Sequence, residues 1–83
     1  MKLSDLPNIG RELEQQLTAA GIDSPEKLRE LGAVESCKML KLSGPVCYNK
    51  LYALEGAILG LRWHNLPKEH MEKVKENFAA SVD

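Results

Sequence analysis

Leu6-Pro7-Asn8-Ile9-Gly10 has the outline of a helix-hairpin-helix turn: an apolar residue, a proline, a small turn residue, an apolar residue and a glycine, with a helical pattern directly after. Such a turn aims the free amides of a helix N-terminus outward, where a phosphate can accept them. A full motif carries glycine where Asn8 stands, so the outline is incomplete here. The helix it launches is expected from about Ile9 to Ala20, with Ile9, Leu13, Leu17 and Ala20 on one inward stripe. Glu12 and Glu14 fall in its first turns, where negative charge suits the helix dipole. Gly21 supplies a left-handed residue just past the end, and Ile22 can fold back onto the stripe. Ahead of the turn, Met1–Leu6 has room for one helical turn at most, because Pro7 disfavours helix in the residue before it.

Downstream, Asp23-Ser24-Pro25-Glu26-Lys27 is the clearest helix start: Ser24 can cap and Pro25 fits the first helical position. That short helix turns Leu28 and Leu31 inward and stops at Gly32; a third is expected from Ala33 to about Lys41, with Val34, Cys37, Leu40 and Met39 inward. Leu42-Ser43-Gly44-Pro45 breaks the pattern, and Pro45 is expected to open the longest helix, to about Leu61. Cys47, Leu51, Leu54, Ile58 and Leu61 step along one of its faces, and Ala53, Gly56, Ala57 and Gly60 form a second, nearly smooth stripe. A glycine inside a helix costs about 1 kcal/mol against alanine. A helix holding two of them is expected to receive a neighbour's backbone at close range. The last helix is expected from about Pro67 to Ala80, with Met71, Val74 and Phe78 inward and Glu69 and Lys73 paired at i,i+4. Shifted by 34 residues, Leu6, Gly10, Leu13, Leu17 and Ala20 fall on Leu40, Gly44, Cys47, Leu51 and Leu54. Such a faint repeat would pair two hairpin-launched helices, although common leucines and glycines also produce it by chance.

Eighty-three residues make one domain, 1–83, with one modest core. The chain is 43% hydrophobic and 28% charged, and Leu, Glu, Lys and Ala favour helix throughout. A net charge of −1 advertises neither a nucleic-acid nor a membrane surface. The charge is uneven, though: residues 1–26 balance at −3, residues 27–50 at +3 and residues 51–83 at −1. The basic middle is only mildly so and reads first as a solvated helix face. Cys37 and Cys47 stand on apolar helical positions and are expected to be buried, reduced thiols.

Five blocks occur in order with natural spacing: Leu6-Pro-Asn-Ile-Gly10, Ala20-Gly-Ile22, Leu31-Gly-Ala33, Leu51-Tyr-Ala-Leu-Glu-Gly-Ala57 and Trp63-His-Asn-Leu-Pro67. Together they resemble the C-terminal domain of the TfoX/Sxy regulators of bacterial competence, from Leu3 to about Val74. The resemblance implies a cytoplasmic bacterial protein tied to transcriptional control of DNA uptake (DNA transformation). Regulators of the family act beside a promoter-bound activator, so a protein partner in the transcription machinery is implied. Without the N-terminal domain of the two-domain regulators, the chain is expected to be a stand-alone copy. The resemblance supplies no catalytic residue.

No assembled chemistry is visible, so the chain is not expected to be an enzyme. His64 and His70 titrate near neutrality as a type, yet no Ser, Cys or carboxylate stands at a spacing that implies pairing. Cys37, Cys47, His64 and His70 lack metal-ligand spacing, and neither a metal nor a cofactor is expected. For DNA, the candidates for phosphate contact are Ile9, Gly10 and Arg11 at the first turn, with Lys41 and Lys50 around the second. Against them stand Glu12, Glu14, the overall acidity and the absence of aromatic platforms, and the turn reads first as a structural cap packed against its neighbours. For protein partners, Tyr48, Tyr52 and Trp63 are the candidate anchors, with closure of the core edge as the competing role.

The expectation is therefore an all-α, compact five-helix domain with helix-hairpin-helix-like turns. It would act as a non-enzymatic interaction module through protein partners, and weak, sequence-independent DNA binding is the alternative. No membrane contact is expected, and a homo-oligomer is compatible with the sequence.

Overall fold

The computed structural model describes residues 2–42, 44 and 46–81. Those residues form four α-helices and two 3-10 turns, with no strand among them. The first 3-10 turn, η1 (Leu3–Asp5), buries Leu3 and is tied to the first helix, since Ser4 N donates to Glu14 Oε2 at 3.0 Å. Pro7 then holds Leu6 extended, at φ −82 and ψ 150.

Helix α1 (Arg11–Ala19) starts two residues later than the periodicity predicts, because Gly10 is extended and serves as its N-cap. Ile9 still points into the core from the turn itself. The end of α1 is as the sequence predicts. Ile22 N donates to Leu17 O at 2.8 Å and Gly21 N to Thr18 O at 3.0 Å, with Gly21 at φ +92. This pair of bonds satisfies the last carbonyls and folds fully buried Ile22 back over the helix end.

Helix α2 (Pro25–Lys41) begins with Ser24 Oγ accepting from Lys27 N at 3.2 Å and with Pro25 at its first position. The two short helices expected here run on as one kinked span, with the boundary at Gly32 where the sequence places it. The break is real but local: Gly32 sits at φ +83 and ψ 165, outside helical space. Helical pairing resumes at once, so the axis is kinked without an intervening loop.

Helix α3 (Tyr48–Leu59) is shorter than expected at both ends. Cys47 is its extended N-cap, and the predicted start at Pro45 lies outside the described residues. Gly60, at φ +76, ends the helix, so Leu61 leaves the inward stripe and is 42% exposed. Leu51, Leu54 and Ala57 are buried against α2, against helix α4 (Lys68–Ser81) and beside the second 3-10 turn, η2 (Trp63–Asn65). Val74 and Phe78 carry α4 into the same core. Glu69 and Lys73 do not close to an ion pair; α4 is held instead by His70, whose Nε2 lies 2.6 Å from Glu55 Oε2 on α3. That contact leaves His70 half-buried and pairs it with a carboxylate 15 residues away, which the sequence spacing does not suggest.

The 34-residue repeat is not carried by the helix ends: in that register Gly21 falls on Glu55, in the middle of α3, while the matching cap is Gly60. Ser43 and Pro45, in the second expected hairpin turn, lie outside the described residues. One thiol is misplaced by the periodicity: Cys37 is buried, but Cys47 is exposed because it caps α3 instead of lying along its face.

Candidate interaction site

The turn that begins the chain's helical pattern points inward. Asn8 is the non-glycine residue with positive φ (+71) among the described residues, a conformation asparagine tolerates better than most. Its side chain lies across the C-terminal end of α3. Nδ2 donates to Leu61 O at 2.8 Å and to Ala53 O at 3.2 Å, while Oδ1 accepts from Trp63 N at 3.2 Å. Beneath it lies Gly56: a Cβ there would sit 2.6 Å from Asn8 Nδ2 and 2.6 Å from Leu61 O. The close approach expected at the small-residue stripe is therefore made by an asparagine side chain and the returning chain. The residue that departs from the hairpin outline is the one that bonds. Sequence reasoning missed it, because only its pairing with residues far along the chain reveals its role.

By binding Trp63 N, Asn8 sets where the second 3-10 turn starts, and Trp63 enters a row of rings. Phe78 meets Tyr48 edge-on at 6.3 Å, and Tyr48 stacks with Tyr52 at 6.4 Å. Tyr52 stacks with Trp63 at 6.0 Å, and Trp63 with His64 at 4.0 Å. All four aromatic residues of the chain thus join in one run of neighbouring rings, from Phe78 on α4 across Tyr48 and Tyr52 of α3 to Trp63. Phe78 is buried, Tyr52 and Trp63 are half-buried, and Tyr48 is the most open of the three candidate anchors at 41%. Lys75 Nζ stands 4.8 Å over the Tyr48 ring, in cation–π range.

The candidate phosphate contacts divide. Gly10, Arg11 and Lys50 line one depression of about 420 Å³ at the N-terminus of α1, together with Glu12, Leu13 and Gln16. Lys50 Nζ there donates to Gln16 Oε1 at 2.9 Å. Lys41 lies apart, in a groove with Tyr48 and Phe78. Ile9 is buried and its amide donates to Leu6 O at 3.4 Å, so it offers no free donor at the turn.

Cys37 is the titratable group with a resolved perturbation. Burial pushes its thiol up to about 11, against the weaker opposing pull of Lys50 and with a small addition from Cys47. A thiol held neutral in this way is a core group, not a nucleophile. Among the described residues, no cluster of His, Cys, Asp or Glu is placed to hold a metal ion, and no helix is long and apolar enough to cross a membrane.

The TfoX C-terminal domain model matches residues 1–78 of the chain. The chain belongs to the TfoX C-terminal domain family. This TfoX C-terminal domain is similar to a Listeria monocytogenes protein of known crystal structure (triclinic form) described as uncharacterised, at 41% identity over 96% of this chain and 92% of that one, with a TM-score of 0.90. It is also similar to a Listeria monocytogenes protein of unknown function (tetragonal form), at 42% identity over 94% of this chain and 96% of that one, with a TM-score of 0.87. Among curated proteins, none matches. The five sequence blocks that suggested the family fall on the elements described above, including the Asn8 turn and the stretch from Leu51 to Ala57 around Gly56.

Proposed function

We propose that this TfoX C-terminal domain is a non-enzymatic interaction module of a cytoplasmic competence-type transcriptional system, which engages a protein partner along the row Tyr48–Tyr52–Trp63. The observation that carries the reading is the row itself. Partly open aromatic rings, aligned along one helix and braced at one end by Asn8, are the kind of rigid anchors that dominate protein interfaces. Family membership supplies the competence context. Capture of partners from the native cytoplasm, repeated with Tyr48→Ala and Trp63→Ala, tests it. Loss of a partner without loss of folding supports the reading, and capture that none of the substitutions alters removes it.

A second reading, weak and sequence-independent DNA binding, is favoured by one observation. Gly10, Arg11 and Lys50 share a depression at a helix N-terminus that has no side-chain cap. Glu12 in the same depression and the engagement of Lys50 by Gln16 work against it. Anisotropy of a labelled duplex at low salt distinguishes the two.

A further inference from the structure

At the Tyr48–Phe78 end of the row of rings, away from Trp63, the start of α3 borders a groove. It lies where α2 ends and α3 begins, with a volume of about 290 Å³, and is lined by Lys41, Val46, Cys47, Tyr48 and Phe78. Leu42, next in sequence to Lys41, is 88% exposed, the most open large apolar residue among those described. Burying a leucine and part of a tyrosine ring is favourable by area alone, so this end of the molecule gains from being covered.

The charge around the groove says what covers it. Among the described residues, no acidic side chain lines it. Lys41 is part of its wall, and Lys75 reaches over the Tyr48 ring from α4. Neither lysine lies within ion-pair distance of a carboxylate among the described residues. The first turn of α3 carries no acidic residue, and the side chain of its N-cap, Cys47, makes no capping hydrogen bond. The carboxylate on α4 nearest in sequence, Glu76, is exposed and lines no part of the groove.

Resting on the reading of the domain as a protein-interaction module, we propose that this groove docks an acidic segment of a partner protein. A bulky apolar side chain of the segment fills the groove against Val46, Tyr48 and Phe78 and covers Leu42. Aspartates or glutamates on either side pair with Lys41 and Lys75. Apolar anchoring supplies the affinity, and the charge pairs set orientation and encounter rate. A duplex matches the lysines with its phosphates but keeps its bases paired and stacked, so it has nothing to place in the apolar groove and fits it less well.

The test uses the full chain, labelled with nitrogen-15, and a capped peptide of sequence Asp-Glu-Asp-Leu-Phe-Asp-Glu-Asp. At low salt, saturable shifts are expected at Lys41, Leu42, Val46, Tyr48 and Lys75. The Lys41→Glu/Lys75→Glu variant is expected to bind about tenfold or more weakly, with its melting temperature kept. Replacing the central Leu-Phe by Ser-Ser is expected to remove saturation. The proposal is overturned by shifts that centre elsewhere, by the absence of shifts at millimolar peptide, or by equal binding of a peptide with lysines in place of the acids. It is also overturned if sedimentation shows the protein alone associating with itself through this face, in a manner that Leu42→Glu abolishes. A native partner whose capture needs Trp63 but ignores the double lysine variant sinks the groove alone and leaves the interaction reading standing.

Discussion

Asn8 and Gly56 occupy one space: the amide nitrogen of Asn8 lies 2.6 Å from where a Cβ on Gly56 would stand. The left-handed turn and the small residue of α3 are therefore two halves of one joint. Replacing Gly56 by alanine should destabilise by about 1–3 kcal/mol, although alanine is the better helix former by about 1 kcal/mol. The clash includes the Leu61 carbonyl, which is backbone and cannot rotate away. Asn8→Ala should cost about 2–4 kcal/mol, because it strands Leu61 O and Trp63 N and leaves alanine at positive φ. Asn8→Gly should cost less than Asn8→Ala, since glycine accepts the backbone angle and loses the bonds alone. Thermal denaturation of the three variants checks the order. Equal stability of Gly56→Ala and wild type would falsify the joint.

The aromatic row separates folding from association. Tyr48→Ala, at an open position, should lower the melting temperature little, by about 4–8 °C or less for a loss near 1 kcal/mol. Tyr52→Ala, between two rings, should cost folding stability more. Trp63→Ala should reduce partner capture while the fold persists, because its backbone amide bond to Asn8 survives the substitution. Calorimetry and capture on the same preparations decide between anchor and core edge. Three variants that unfold together, with association never changing alone, would move the interface elsewhere.

Duplex binding, if it occurs, should follow the depression at α1. With two to four phosphate contacts, log K should fall against log salt with a slope of about −2 to −4. Arg11→Ala should flatten that slope by about one unit. A duplex that stays free at high micromolar protein and low salt excludes this reading.

The two thiols should behave differently. Exposed Cys47 should react with a thiol reagent in the native protein, while buried Cys37 should wait for unfolding. Cys37 also makes stability depend on pH. Its folded-state value is about 11 against an ordinary 9.0, so between those values the unfolded chain has lost a proton that the folded chain keeps. Its contribution is complete below pH 9 and is lost as pH rises to 11, by about 1.4 kcal/mol per unit. Denaturant melts at pH 8 and pH 10.5, compared with those of Cys37→Ala, isolate that slope; identical slopes would show that the thiol does not titrate this way.

Ser36 is buried, and its hydroxyl has no hydrogen-bond partner among the described residues. Removing an unpaired polar group removes its desolvation penalty, about 1 kcal/mol or more. Ser36→Ala should therefore leave stability unchanged or raise it by about 1 kcal/mol, as read from denaturant midpoints. A loss above about 1 kcal/mol would mean that the hydroxyl is satisfied in solution.

The all-helical fold was legible in the chain wherever the cause is local. Ser24 with Pro25 starts α2, Gly21 with Ile22 ends α1, and the stripes of Leu13 and Leu17 or Val74 and Phe78 mark faces that must be covered. Each depends on residues within one or two turns, which is the range periodicity and capping describe. What only the tertiary structure decided depends on distant partners. Gly56 and Gly60 look alike in the pattern, yet one receives Asn8 and the other supplies a left-handed helix end. Asn8 looked like a flaw in a hairpin turn, but it bonds to groups 45, 53 and 55 residues away. The single row of rings and the groove beside Tyr48 likewise arise only when α3 meets α4 and the second 3-10 turn. Local preferences settle which segments are helical and which faces are apolar; which polar side chain fits which gap is settled by packing, because neither partner carries a mark of the other in its own neighbourhood of the chain.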